Sequence, residues 1–315
     1  MSGPVKVVVA LGGNALEDKA LPPTAASQLQ VARRTAEYLA RLSCAGYELA
    51  VVHGNGPQVG RILLASETAA ELTPPMPFDV CGAMSQGYIG YHLQQALTDA
   101  LRKRDRHIPV VTVVTQMVVD KADPAFQNPS KPIGPFYSKE QADTLAKEKG
   151  YTVKEDSGRG WRRVVPSPKP RRIVEIGTIK TLWDTTVTIA CGGGGIPVIE
   201  REDGTLEGVA AVIDKDLAAC ELAREMEADI LMILTEVPAV AINFGKPGQT
   251  DLGKVTAGEL EQYAAQGQFG AGSMLPKVQA AVEFVRSAPG RTAIITSLDL
   301  GLEALAGRCG TRISG

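Results

Sequence analysis

The chain has 315 residues, 44% of them hydrophobic and 22% charged, and its 33 basic and 35 acidic side chains give a formal charge of -2. This composition excludes extended disorder, collagen-like repeats and long coiled coils, and the near-balance of charge supplies no field to hold the chain on nucleic acid or an anionic membrane. Thirty-three glycines against 5% aromatics favour a small-ligand enzyme, because glycine serves where backbone must approach a ligand closely or take positive φ.

In chain order, short apolar runs alternate with amphipathic segments, the rhythm of parallel strands joined by helical crossovers. A strand is expected at Val5 to Leu11, then a helix at Ala25 to Cys44 with Gly46 as its C-terminal stop. A strand at Glu48 to His53 leads into helices at Gln58 to Glu71 and Gly82 to Arg104. The charge-free stretch Val80 to Thr98 carries Ser85, Gln86, His92, Gln94 and Gln95, which a bilayer core would not accept, so it is not a membrane span. Strands follow at Val110 to Val119, Arg172 to Ile176 and Val187 to Cys191. Further on, a helix at Asp216 to Glu227, a strand at Ile230 to Thr235, a helix at Lys277 to Ser287 and a strand at Ala293 to Thr296 complete the reading. The expected fold class is α/β: an open, mainly parallel central sheet sandwiched by helices.

One stretch breaks the rhythm. Asp120 to Pro170 holds seven of the twenty prolines and ten Lys or Arg residues, too rigid and too charged to continue a buried sheet. It is expected to form a small protruding lobe, in which prolines on both sides hold Lys131 in a fixed direction. The sheet is expected to resume near Arg172, and a second boundary is placed where the glycine run at 192–195 ends. The N-terminus lacks a cationic region followed by an apolar stretch and a small-residue cleavage site, so no secretory signal is read and a cytoplasmic location is expected. Five cysteines, odd in number and far apart, give no metal or redox spacing.

Three glycine-rich turns each follow an expected strand: Leu11-Gly12-Gly13-Asn14, His53-Gly54-Asn55-Gly56-Pro57 and Cys191-Gly192-Gly193-Gly194-Gly195. One such turn is explained by plain turn chemistry; three at strand carboxyl ends make an anion site the better reading, because uncovered backbone N–H groups entering a helix bind anions. No Gly-x-x-x-x-Gly-Lys-Ser/Thr occurs, and the Gly54 to Gly60 segment has the wrong spacing for a dinucleotide fingerprint. Positive charge must therefore come from lysines. Lys215 and Lys277 both sit at expected helix starts, where a cation opposes the macrodipole and costs up to about 1 kcal/mol unless an anion compensates. Together with Lys131 they form a phosphoryl clamp, while Asp214 either orients two ammonium groups or simply caps a helix. Three histidines without zinc spacing or a Gly-x-Ser-x-Gly elbow leave hydrolase and zinc chemistry without parts. Phosphoryl transfer fits, since its transition state needs positioning and charge neutralisation more than a protein base.

Those turns, with Cys81-Gly-Ala-Met-Ser-Gln-Gly87, Lys131-Pro-Ile-Gly-Pro135, Ala211-Val-Ile-Asp-Lys-Asp216 and Gly272-Ser-Met274, resemble the carbamate kinases of the amino acid kinase family over the whole chain. The resemblance implies an α/β/α fold and reversible phosphoryl transfer between carbamoyl phosphate and ADP, with Mg2+ held mainly by nucleotide phosphates. It implies a substrate half, 1–195, containing the lobe at about 120–170, and a nucleotide half, 196–315. Gly12, Gly13, Asn14, Gly54, Asn55 and Gly56 are assigned to the carbamoyl and transferring phosphoryl groups, with Lys131 swinging in from the lobe. Lys215 and Lys277 would neutralise phosphates, and Asp214 would organise those lysines. Gly193, Gly194, Thr235, Glu236, Val237, Met274 and Pro276 are assigned to the nucleotide, together with Phe244, for which a core position is the competing reading. No protein ligand for the metal is assigned. Ser130 and Leu275 depart from the family's usual Thr and Gly without removing a charge or a turn glycine. The helix bearing Met84, Tyr88, Ile89 and Tyr91 resembles the family's dimer surface, so a homodimer is expected, with core packing as the alternative for those side chains.

Overall fold

A computed structural model describes residues 3–156 and 158–315. The N-terminal part begins with β1 (Lys6–Leu11), α1 (Ala25–Cys44), β2 (Glu48–His53), α2 (Gly56–Thr68) and α3 (Phe78–Arg102). Then come β3 (Val110–Thr112), β4 (Gln116–Val119), β5 (Lys131–Tyr137), α4 (Lys139–Lys149), β6 (Val153–Glu155), β7 (Trp161–Val165) and β8 (Pro170–Ile173). The middle of the chain forms α5 (Ile176–Leu182), β9 (Val187–Ile189), β10 (Ile196–Glu200), β11 (Leu206–Gly208), α6 (Lys215–Glu225) and β12 (Ile230–Thr235). The remainder is β13 (Val240–Ile242), β14 (Thr250–Leu252), β15 (Lys254–Thr256), α7 (Ala257–Ala265), α8 (Met274–Arg286), β16 (Thr292–Ser297), α9 (Gly301–Leu305) and β17 (Thr311–Ser314).

An eight-stranded sheet runs in the order β15-β17-β16-β12-β1-β2-β9-β3, parallel throughout except where β16 meets β17. The apolar run of β1 explains its central place, since alternate side chains must both be covered. Val7, Val9 and Leu11 pack with Leu39 of α1 and Leu93 and Leu97 of α3. Val8 and Ala10 face the other way, toward Leu222 of α6 and Ala281 and Phe284 of α8. Helices therefore cover both faces, as the sequence rhythm implies. Local signals set their ends: Thr24 accepts the Ser27 N–H to start α1, and Gly46 takes φ +94° just past its end.

The expected continuous strand from Val110 to Val119 divides instead. β3 forms the edge of the main sheet, while β4 leaves it for a four-stranded sheet in the order β11-β10-β4-β8. Buried side chains take over the backbone bonds at the break. The Thr115 N–H donates to Gln86 Oε1 at 2.8 Å, its carbonyl accepts from Gln86 Nε2 at 3.1 Å, and its hydroxyl accepts the Cys191 N–H at 3.0 Å. The strand expected near Arg172 exists as β8, but in this smaller sheet. Each of the two larger sheets draws strands from both sides of position 195. The charged, proline-rich stretch builds a separate three-stranded sheet, β5-β7-β6, with α4 against it. α4 carries a complete capping box between Ser138 and Gln141 and ends at Gly150 with φ +65°.

Candidate active site

Strands β1, β2 and β9 are neighbours and parallel, so the turns that follow them open at one edge of the sheet. The glycines there answer two separate demands. Gly193, Gly194 and Gly195 take φ of +68°, +97° and +85°, a region L side chains avoid. They also have no room for a side chain: an added Cβ would stand 2.2 Å from Asn55 Nδ2 at Gly193 and 2.2 Å from the Ile213 carbonyl oxygen at Gly194. Gly192 similarly lies against the imidazole of His53, and Gly54 touches the Lys215 side chain.

Three helix N-termini meet the same edge. α2 begins at Gly56 behind Asn55, α6 at Lys215 behind Asp214, and α8 at Met274 behind Ser273. Only α6 has a side-chain cap among these three, Asp214 accepting the Asp216 N–H at 2.9 Å. A cavity of about 210 Å³ lies between them, lined by Gly54, Asn55, Gly56, Gly193, Asp214, Asp216 and all three lysines, Lys131, Lys215 and Lys277. A second cavity of about 430 Å³ adjoins it, lined by Gly12, Gly13, Thr235, Glu236, Val237, Phe244 and Met274. Lys215, Lys277 and Ser273 border both.

The ion pairs divide differently from the sequence expectation. Asp214, read there as the organiser of Lys215 and Lys277, instead receives Lys131 Nζ at 2.8 Å, reaching across from the lobe. Asp216 organises the other two, its oxygens taking Lys215 Nζ at 2.5 Å and Lys277 Nζ at 2.9 Å. The Asp216 side chain is only 3% exposed, and Lys215 and Lys277 are 15% and 14% exposed, so this triad is largely withdrawn from water. Burial pulls the Lys215 ammonium below the usual lysine range; Asp216 opposes that shift and Lys277 adds to it. Burial alone would push the Asp214 carboxyl up, but Lys131, the Asp216 N–H and Lys215 together hold it below the usual carboxylate range.

The remaining expected residues divide between the cavities. Gly12 and Gly13, expected on the carbamoyl phosphate side, line the larger cavity and not the smaller one, and Pro276, expected at the nucleotide, lines the smaller cavity, with the lysines, rather than the larger one. Gly193 also lines the smaller cavity, while Gly194 is buried under Ile213 and lines neither. Phe244 is 62% exposed, so the core reading of this ring fails, and it stands at the mouth of the larger cavity. The Asn14 side chain lies outside the described structure. Sequence reasoning left out Ala241, Gln268 and Phe269, which also wall the larger cavity. It left out Ser85 as well, whose hydroxyl accepts from Asn55 Nδ2 at 2.8 Å and donates to the Gly82 carbonyl, fixing the Asn55 amide. The Cys81-Gly-Ala-Met-Ser-Gln-Gly87 motif holds that signal.

His53 is fully buried beneath the turns. Its Nδ1 lies 2.8 Å from the Gly54 carbonyl oxygen, which can only accept, so the ring proton sits on Nδ1. Burial lowers its pKa to about 4, partly countered by that hydrogen bond, so the ring is neutral at pH 7. It holds the turn rather than exchanging protons with the cavity.

The sequence model of the amino acid kinase family matches residues 5–297. The carbamate kinase of Pyrococcus horikoshii is 53% identical over 314 residues, 99% of each chain, and that of Clostridium perfringens is 53% identical over 98% of this chain and 99% of its own. The solved structure of carbamate kinase from Giardia lamblia bound to AMP-PNP is 45% identical, superimposes with a TM-score of 0.92 and covers 99% of both chains.

Proposed function

We propose the reaction from the premise that this chain belongs to the amino acid kinase family: it catalyses reversible phosphoryl transfer between carbamoyl phosphate and ADP, yielding ATP and carbamate. The observation that carries this reading is the Lys215–Asp216–Lys277 triad standing between two adjoining cavities. The larger cavity, with Thr235, Glu236, Val237, Phe244 and Met274, takes the nucleotide. The smaller, with Gly54, Asn55, Gly56 and Lys131, takes carbamoyl phosphate. Phosphates from both sides then meet at the lysine pair.

A β-phosphate oxygen of ADP attacks the phosphorus, the bond from phosphorus to the carbamate oxygen breaks, and carbamate leaves with the electron pair. Because nucleophile and leaving group are both anions, no proton has to be moved. This matches a site whose nearest histidine is buried and neutral and whose three lysines are each paired with a carboxylate. Ammonium groups and backbone N–H groups at the helix starts neutralise charge spreading over the transferring oxygens. Released carbamate falls to ammonia and carbon dioxide.

Among the described residues no group of three or more His, Cys, Asp or Glu side chains could hold a metal ion, and Asp214 and Asp216 are already committed to lysines. In this reading Mg2+ arrives with the nucleotide substrate, carried on its phosphates. Purified protein mixed with carbamoyl phosphate, ADP and Mg2+ is expected to form ATP, read by a luciferase-coupled assay; no ATP at any Mg2+ concentration refutes the reading.

The homodimer belongs to the same proposal. Met84 and Tyr91 of α3 are 49% and 60% exposed, and Tyr91 shares a surface cavity with exposed Val114, just past the β3 edge of the main sheet. Tyr88 and Ile89 turn inward, Tyr88 donating to Gln28 and Ile89 joining the core, so the apolar patch is smaller than the sequence suggests. Sedimentation of Tyr91→Asp is expected to give monomer where the parent gives dimer; a monomeric parent removes the proposal.

A further inference from the structure

The lobe carries Lys131 but is joined to the body by few segments, so something must fix its angle over the cavity. In the β5–β7 pairing, Lys131 lies opposite Val165 and Ile133 opposite Arg163. With side chains alternating along each strand, Lys131, Ile133, Arg163 and Val165 share one face. That face meets α2. Ile133 and Val165 pack with Val59 and Leu63 in a small apolar cluster, and the backbones touch where an added Cβ at Gly60 would stand 3.2 Å from Gly134 Cα.

Beyond that contact lies Glu67, in the last turn of α2. Three lobe groups converge on this one carboxylate: the Tyr151 hydroxyl donates at 2.5 Å, Lys149 Nζ donates at 3.1 Å, and an Arg163 guanidinium nitrogen stands at 3.7 Å. Arg163 also stacks on the Tyr151 ring, 3.6 Å from its centroid. A carboxylate at a helix C-terminus opposes the macrodipole, and no basic residue of α2 itself relieves it in that turn. The relief comes from the lobe. Glu67 and Arg163 are 16% and 14% exposed, so water screens the pair only partly.

We infer that Glu67 is a positioning residue for transfer: with Tyr151, Lys149 and Arg163 it latches the lobe against α2 and so sets where Lys131 reaches the substrate cavity. α2 acts as the strut. Its first turn lines the cavity at Gly56, its middle is the fulcrum at Gly60 and Gly134, and Glu67 lies seven residues on, about 10 Å along the axis at 1.5 Å per residue.

The inference rests on the kinase reading, and its test separates the two failures. Glu67→Gln keeps the size and one acceptor but loses the charge. It is expected to lower kcat/KM for carbamoyl phosphate about tenfold, the scale of a small misplacement remote from the chemistry, while ADP affinity by calorimetry stays at the parent value. Tyr151→Phe should show a smaller loss of the same kind. In a Lys131→Ala background, Glu67→Gln should cost nothing further, because the latch acts only through that lysine. Hydrogen exchange should quicken in β5 and β7 of Glu67→Gln and remain unchanged in α6 and α8. Full activity in Glu67→Gln, an equal loss with and without Lys131, or loss of ADP affinity each overturns the latch. A parent enzyme that forms no ATP overturns the kinase reading instead, and the exchange experiment then still decides whether Glu67 holds the lobe.

Discussion

Asp216 is the residue on which the site's stability and its chemistry meet, and Asp216→Asn separates them. The carboxylate neutralises two ammonium groups that are about 85% withdrawn from solvent, at 2.5 and 2.9 Å. Removing one partner of a buried ion pair costs about 3–5 kcal/mol, because the charge left behind cannot regain its water. At roughly 2 °C per kcal/mol for a chain of this size, the melting temperature of the ligand-free protein should fall by about 6–10 °C. Lys215 adds a pH signature. Its pKa is already held below the usual 10.5, chiefly by burial, with Asp216 pulling it back up. Without Asp216 it falls further, so over a wider range the unfolded chain binds a proton that the folded one does not. A lysine depressed in this way costs stability below its folded pKa and is relieved as pH rises toward 10.5. The deficit of Asp216→Asn should therefore shrink as pH rises toward 10.5. ADP with Mg2+ should also shrink it, because phosphate replaces the missing carboxylate, whereas turnover should fall at least about a hundredfold as the lysines lose their fixed geometry. Differential scanning fluorimetry with and without ADP, beside a turnover assay, reads all of this. Parent-like melting with parent-like turnover would refute the idea that Asp216 organises the pair.

Other outcomes follow from the same geometry. Lys215→Ala should lower kcat by about a hundredfold or more with the fold intact, the scale of losing one donor to transition-state charge; near-parent turnover would remove Lys215 from the mechanism. Lys131→Ala should lose transfer while keeping ADP affinity by calorimetry, because Lys131 borders the smaller cavity and not the larger one. His53 carries a pH dependence of stability: with a folded pKa of about 4 against 6.5 unfolded, its contribution is whole above 6.5 and lost as pH falls toward 4. At 1.36 kcal/mol per pH step it accounts for about 2 kcal/mol between pH 6.5 and 5. His53→Gln should remove that part of the slope in urea titrations, and an unchanged slope would show that the ring is not held neutral.

The fold was legible where one principle dominated. The apolar runs of β1, β2 and β12 could only be strands covered on both faces, and their bounds agree with expectation to within a residue. The Val110 to Val119 run misled because its break depends on Gln86, distant in sequence, replacing ladder bonds with side-chain bonds. Helix starts were read late for the same kind of reason: α3 begins at Phe78 and α8 at Met274, both ahead of the first strong periodic signal. In the site, Lys215 and Lys277 were legible as charges standing where a helix should repel them, and Lys131 from the prolines on either side of it. Which acid served which lysine was not. Asp214 and Asp216 flank Lys215 symmetrically in the sequence, and only the helix start distinguishes them. Asp214, in extended backbone as the cap, faces the lobe; Asp216, inside the first turn, is carried around toward α8.

That division also explains how the protein tolerates the site between turnovers. Three ammonium groups around one cavity would repel one another, and the two at helix starts, Lys215 and Lys277, would also oppose the helix dipoles, so a clamp built of lysines alone would destabilise the fold that displays it. Two carboxylates reduce the local charge from three positives to a net of one, and each does so in a different place: Asp216 within the body, Asp214 at the meeting of body and lobe. The uncapped N-termini of α2 and α8 retain N–H groups for a phosphate to engage. Binding then has a specific consequence for the lobe. A phosphate that draws Lys131 away from Asp214 exchanges one ion pair for another with little net change in charge pairing, so the lobe need not open or close by much for the lysine to change partners. If so, hydrogen exchange in β5 and β7 should be nearly the same with and without carbamoyl phosphate. Strong new protection there would show instead that substrate, and not the Glu67 contact, holds the lobe down.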